Sequence, residues 1–315
     1  MKGRFQELCP GTRGVTFGTF HSVFFWMLRN AYNYTAANIV TDSEKYGAIR
    51  DSIDRHGFRY DSQEDFAKNV VGEIGNVKSE RVSLENYEST TMKLEDFRIV
   101  YDEYENFLRR CGKIDFDDML VFTYELLSER PDILKMWQNK FRYILIDEFQ
   151  DINMIQYDIV KLLAGERQNV FSVGDDDQSV YGFRGAAPAI MKKFPEDFHG
   201  TVIEYLNVNY RCSYDIVECS KRIIQNNRDR YEKQLRSAFA AGQSDRVHIV
   251  KTDSMTEQNK KIIDRITELN RAGIPYREMA IIFRTNTEPR ALASKLMENG
   301  IPFLMKDNIP NIFTH

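Results

Sequence analysis

The sequence predicts an α/β fold of parallel sheets covered by helices, interrupted by one all-helical insertion. Short apolar runs at 143–146, 170–173, 202–206, 247–250 and 280–283 are bounded by polar or glycine positions, the pattern of strands buried on both faces. Helical periodicity falls between or after them, at 155–163, 215–226, 259–271 and 290–298, and strand–helix alternation of this kind argues for parallel sheets. Residues 30–112 differ: Phe97, Tyr101, Tyr104, Phe107 and Leu108 recur at helical spacing among charges, with little strand signal.

Taken in chain order, a turn at Cys9-Pro10-Gly11 precedes Val23-Phe24-Phe25-Trp26-Met27-Leu28, a run too apolar all round for a surface helix and so read as a buried one. The helical insertion occupies 30–112. It divides a first sheet-bearing domain, 1–29 with 113–206, from which a second, 207–315, follows. Polar stretches at 226–236 and 242–244 interrupt the apolar periodicity near that boundary. A length of 315 residues accommodates two such domains at the common ~150 residues each.

Hydrophobic residues make up 42% and charged residues 29%, which excludes disorder as the main state. No apolar stretch reaches the roughly 18 residues of a membrane span, and no secretory leader is recognisable, so a cytoplasmic location without membrane contact is expected. Cys9, Cys111, Cys212 and Cys219 are scattered, with neither metal-ligand nor disulfide-framework spacing, and are read as reduced thiols. The net charge of −4 provides no basic field over the whole molecule, so any nucleic-acid site must be local.

Four clusters carry candidate chemistry. Asp147-Glu148-Phe149-Gln150-Asp151 closes the first clear strand, and two adjacent acids at a strand's carboxyl edge suit magnesium and an attacking water, as nucleotide hydrolysis requires. A lone Asp-Glu is more often a solvated turn. The next strand runs into residues 174–185, where Gln178 can sense a terminal phosphate or water, Tyr181 and Phe183 can stack on bases, and Arg184 can hold a phosphate. An acidic turn with its rings folded into the core accounts for that loop equally well. In Asn209-Tyr210-Arg211 the ring suits a purine and the guanidinium a transferring phosphoryl group, although the same residues also make an ordinary helix start. Gly18-Thr19-Phe20-His21-Ser22 offers hydroxyls, an imidazole and helix-start amides to a sugar-phosphate backbone, or simply a capped helix with a buried histidine.

In chain order, from Thr19–Ser22 through Asp147–Asp151 and residues 173–185 to Asn209–Arg211, the four clusters resemble successive motifs of superfamily 1 DNA helicases of the UvrD, Rep and PcrA type. Residues 114–120, Ile-Asp-Phe-Asp-Asp-Met-Leu, are similar to that family's return from its helical subdomain. Residues 282–286 and 300–303 are similar to its second motor domain. The resemblance implies RecA-like sheets of the P-loop NTPase fold, ATP and Mg2+ as cofactors, and 3′–5′ movement on single-stranded DNA with opening of single-strand/duplex junctions in repair or replication.

Carried over by position, the resemblance gives Asp147 and Glu148 the metal site, Glu148 also activating water. Gln178 couples the terminal phosphate to DNA, Tyr210 stacks on adenine, and Arg211 is an arginine finger. Thr19, Phe20, His21, Tyr181, Phe183 and Arg184 become DNA contacts. Phe183 stands where the family usually has Trp, which weakens the expected stacking.

The phosphate loop G-x-x-x-x-G-K-[ST] is absent, and Gly11-Thr12-Arg13-Gly14 is no substitute. The expectation is therefore an internal helicase fragment that begins inside the first motor domain and ends before the later motifs. Such a chain should hydrolyse little ATP alone. A motor-dead module that binds or regulates on single-stranded DNA is the alternative. A metal-dependent nuclease or phosphatase built on Asp147, Glu148 and residues 175–177 is a third reading, but it leaves Gln178, Tyr181, Phe183 and Arg211 without a role.

Overall fold

Hydrophobic spacing and capping residues explain most of the helices. The computed structural model of the chain describes residues 2–58, 63–85, 87–179, 189–228, 230–242, 246–285 and 288–305. A short α1 (Lys2–Leu8) is followed by α2 (Phe20–Tyr32), which starts at Thr19, whose side chain accepts from the Ser22 amide. Phe24, Met27 and Leu28 form its buried stripe, whereas Val23, Phe25 and Trp26 are half-buried. This helix continues through Tyr32, past the start expected for the helical insertion.

The insertion packs α3 (Asp42–Arg55), α4 (Gln63–Glu80) and α5 (Leu94–Cys111) around their own core. On α5 the buried residues Phe97, Val100, Tyr104 and Leu108 follow one helical face, and Gly112 ends the helix in the left-handed region at φ 61°. Chain exit and return are stitched together: the Ile114 amide donates to Asn38 O (2.8 Å) and the Val40 amide to Ile114 O (3.0 Å).

From Ile114 the chain forms α6 (Phe116–Glu129), α7 (Pro131–Lys140), β1 (Ile144–Ile146), α8 (Met154–Ala164), β2 (Val170–Ser172) and α9 (Ala189–Asp197). Strands β1 and β2 pair in parallel with Ile144 opposite Val170 and Ile146 opposite Ser172, and α8 is the crossover. One core joins α2, α6, α7 and α8 through Phe24, Met27, Leu120, Trp137 and Ile159. A second joins β1 to α8 and α9 through Ile146, Phe149, Tyr157 and Phe194.

The strand expectations need correction. Residues 143–146 and 170–173 do pair, but Leu145 is 73% and Phe171 62% exposed, so one face of the pair is open instead of both being buried. Residues 202–206, 247–250 and 280–283 form no strand among the described residues, except that β3 (Val208–Asn209) begins just after the first of them. An apolar run marks a capacity for burial, but a strand also needs a ladder partner, and these runs find none among the described residues. Then follow α10 (Tyr214–Ile224), β4 (Arg236–Ser237), α11 (Met255–Arg271) and α12 (Pro289–Glu298).

The chain divides into two compact units, Met1–Asn209 with Ser220–Arg236, and Tyr210–Cys219 with Ser237–His315. In the second unit Ile263 and Ile266 of α11 pack with Leu292 and Leu296 of α12 and with Ile301. Among the described residues no helix is long and apolar enough to cross a membrane.

Inside the first unit, Lys78 of α4 reaches a buried group of carboxylates. Its ammonium meets Asp118 at 2.7 Å, Asp115 at 3.0 Å and Glu105 at 2.6 Å, with only 4% of the side chain exposed. Asp115 caps α6 in a reciprocal box: Asp118 N donates to Asp115 Oδ1 (2.8 Å) and Asp115 N donates to Asp118 Oδ2 (2.9 Å). Tyr104 Oη also donates to Asp115 (3.0 Å). Burial opposes ionisation of Asp115, but the ammoniums of Lys78 and Lys45 outweigh it and hold that carboxyl below its ordinary range. Burial and the charge of Asp115 instead push Asp118 up to about 7.

Two outcomes follow. Lys78→Met removes the cation from three carboxylates and should cost about 3–5 kcal/mol in urea denaturation, whereas a loss under about 1 kcal/mol would refute a structural role. Because the folded chain holds the Asp118 proton more tightly than the unfolded chain, its contribution is present below about pH 4 and is lost as pH rises to about 7. Subtracting the stability of Asp118→Asn across that range should reveal this downward slope, and a flat difference would count against it.

Candidate functional site

Parallel pairing of β1 and β2 sets two strand ends side by side. The ladder extends past both strands, since Val173 N donates to Ile146 O and Phe149 N to Val173 O, each at 2.9 Å. Asp147 and Glu148 therefore emerge at the carboxyl edge, both exposed. The Asp147 carboxylate accepts from the Glu148 amide at 3.1 Å. Glu148 has φ 52° and ψ 46°, a left-handed conformation costing about 1–3 kcal/mol for a residue other than glycine. Its carboxylate accepts from the Gln150 side-chain amide at 2.7 Å.

Gln150 is 1% exposed and connects the two edges. Its carboxamide oxygen accepts from Asp175 N at 2.9 Å, and its carbonyl accepts from Ser179 Oγ at 3.3 Å. Gly174 makes this approach possible, because a Cβ there would lie 2.8 Å from the Gln150 carboxamide oxygen and 3.2 Å from the Gln150 backbone nitrogen. Gln178 is exposed, and its amide donates to Asp175 Oδ2 at 2.7 Å. The Asp147–Glu148 pair and the Gln178 turn are thus joined through one buried side chain.

The three aspartates after β2 are half-buried and carry a charge that sequence reasoning left unbalanced. Lys233 pairs with Asp175, Asp176 and Asp177, while Arg230 grips Asp177 with two hydrogen bonds of 2.7 and 2.5 Å. The Arg230 guanidinium beside it leads in holding the Asp177 carboxyl below its usual range against the cost of burial. Burial works against Asp175 ionising, yet Lys233 and Gln178 hold that carboxyl low as well. The three carboxylates lie close enough to share a cation, and the Lys233 ammonium takes that place, which weighs against the nuclease reading.

Gln150, Arg230 and Lys233 were not singled out as site residues in the sequence. The cations of the polar stretch 226–236, set against the acidic run 175–177, were the available signal.

Thr19 and His21 sit at the start of α2. Phe20 is half-buried, its ring 5.5 Å from Phe24 and packed against both core clusters of the β1 region. The His21 ring lies edge-on to Phe116 at 5.5 Å; burial lowers its pKa, opposed by the nearby Asp117. Tyr210, 77% exposed, and Arg211 precede α10 and belong to the second unit. Tyr181, Phe183 and Arg184 lie outside the described residues.

Gly174→Ala should displace the Gln150 carboxamide, cost about 1–3 kcal/mol and speed hydrogen exchange at the Asp175 amide. Unchanged exchange at Asp175 would show that the bond to Gln150 does not control this turn.

Comparison with known proteins adds the family. Residues 1–199 match the UvrD/REP helicase N-terminal domain, and residues 204–312 match the UvrD-like helicase C-terminal domain. The Bacillus subtilis protein YjcD is 32% identical over 313 residues, covering 96% of this chain and 40% of its own length. ATP-dependent DNA helicase PcrA of Staphylococcus epidermidis is 32% identical over 318 residues, with 97% and 42% covered, and PcrA of Staphylococcus aureus is 32% identical over 315 residues with the same coverage. The chain thus spans about two-fifths of the length of these relatives. With more than half of its residues matched by the N-terminal domain and nearly all the remainder by the C-terminal one, the chain belongs to the UvrD/REP helicase family.

Proposed function

We propose that this chain carries part of an ATP-dependent DNA motor that moves 3′–5′ on single-stranded DNA and opens single-strand/duplex junctions. The observation that supports it best is the linkage of Asp147–Glu148 to the Gln178 turn through buried Gln150, at the carboxyl ends of neighbouring parallel strands. Ligands of open parallel sheets bind at that edge.

In this reading Asp147, with Glu148 beside it, would hold magnesium, an oxygen donor set that the ion accepts. Magnesium, when bound, supplies neutralisation of phosphate charge. Glu148 takes a proton from the attacking water, its left-handed backbone turning the carboxylate off the strand. Gln178 reports the phosphate state, Tyr210 stacks on adenine, and Arg211 stabilises charge on the transferring phosphoryl group. Thr19, Phe20 and His21 contact the DNA backbone, while Tyr181, Phe183 and Arg184 contact bases and strand. The division into 1–29 with 113–206, 30–112 and 207–315 belongs to the same proposal.

Titrating a fluorescent single-stranded oligonucleotide with and without Mg-ATP tests it. A motor should show DNA affinity that changes about fivefold or more with nucleotide, and Tyr210→Ala should abolish that change. Affinity indifferent to nucleotide would favour the motor-dead binding module, and no DNA binding would contradict both.

A further inference from the structure

Three of the four residues 230–233, Arg230, Tyr231 and Lys233, bond to the aspartates of the Gln178 turn. Arg230 is bidentate on Asp177, Lys233 touches all three aspartates, and Tyr231 N donates to Asp176 Oδ2 at 2.6 Å. Tyr231 Oη further donates to Met191 O at 2.9 Å, fastening the same stretch to α9. Side-chain exposure of 19% for both cations, and of 6% and 16% for Asp176 and Asp177, leaves the pairs with those two acids less screened than ordinary surface pairs, whereas Asp175 is 39% exposed and its pair with Lys233 is more open to solvent.

The Asp175 carboxylate is shared. One oxygen meets Lys233, and the other accepts the Gln178 amide at 2.7 Å. Gln178 is therefore held by an acid whose other oxygen is held by Lys233 together with the Asp177 amide, which donates to it at 3.2 Å. The turn lies in the part of the chain matched by the N-terminal family domain, whereas the strap lies in the part matched by the C-terminal one, just after α10 and the Tyr210–Arg211 segment. A charge-paired strap of this kind gives residues 230–233 a hold on the glutamine by way of Asp175.

We propose that Lys233, with Arg230 beside it, is a positioning residue for Gln178, fixing the glutamine through Asp175 so that nucleotide state and DNA affinity are coupled. The inference rests on the role of Gln178 given under Proposed function and adds two residues that act on it from outside the strand ends. It differs from a merely structural staple in what it predicts for the coupling.

The test is the ratio of single-stranded oligonucleotide affinities with and without Mg-ATP, measured for the 315-residue chain alongside hydrogen exchange of residues 173–179. In Lys233→Met the ratio should fall from about fivefold or more toward one, and Lys233→Arg should restore it. Asp175→Asn, a variant that keeps the side-chain volume, should lower the ratio similarly, and the double variant should be no worse than either single one. A ratio that persists in Lys233→Met and Asp175→Asn, even with faster exchange in the turn, would reduce the strap to a staple and overturn the proposal, as would additive losses in the double variant. A wild-type ratio of one would instead overturn the motor reading itself, and the present inference with it.

Discussion

The buried carboxamide of Gln150 accepts from Asp175 N and donates to Glu148, and this pair of bonds makes the ends of β1 and β2 behave as a single edge. A parallel ladder alone would place two turns near each other without fixing either, because turns beyond the last ladder bond are free to choose other partners. Gln150 removes that freedom on both sides. It reaches Asp175 only because Gly174 has no side chain, so one glycine and one amide together decide where the acids and Gln178 stand.

Two groups of aspartates show how the fold handles concentrated negative charge. Around α6, the Lys78 ammonium is surrounded by three carboxylates with Lys45 reaching only Asp115 at 4.0 Å, and the excess appears as an Asp118 carboxyl raised toward neutrality. After β2, two cations from a distant stretch face three aspartates, and both Asp175 and Asp177 stay low. The first group ties the helical insertion to the sheet-bearing core and the second ties a returning strap to the site. Buried or half-buried pairs of this type specify which segments meet more than they add net stability, since desolvation cancels much of the attraction.

Several helices were legible in the sequence because their signals are local. The 97–108 periodicity lies within a few turns of chain, and α8, α11 and α12 fall close to the expected spans, whereas the Asp115/Asp118 box that starts α6 was not read from the sequence. That 143–146 and 170–173 are parallel strands was legible too, since a helical pattern separates the two apolar runs; their direct pairing comes from the structure. Partner choice for 202–206, 247–250 and 280–283 was not, as hydrophobicity says what can be buried and not against which ladder. Asp147, Glu148 and Gln178 stand out by position at strand ends. Arg230 and Lys233 were hidden in a polar stretch that reads as linker, more than fifty positions from the acids they neutralise.

Native-state hydrogen exchange read at two amides tests the central claim, that the two strand ends form one unit. Phe149 N donates to Val173 O and Asp175 N to the Gln150 carboxamide, so a single cooperative opening must break both. Protection factors for the two amides should agree within about threefold and fall together as denaturant is added. An Asp175 amide exchanging at the unprotected rate beside a protected Phe149 would show two independent turns and would contradict the account.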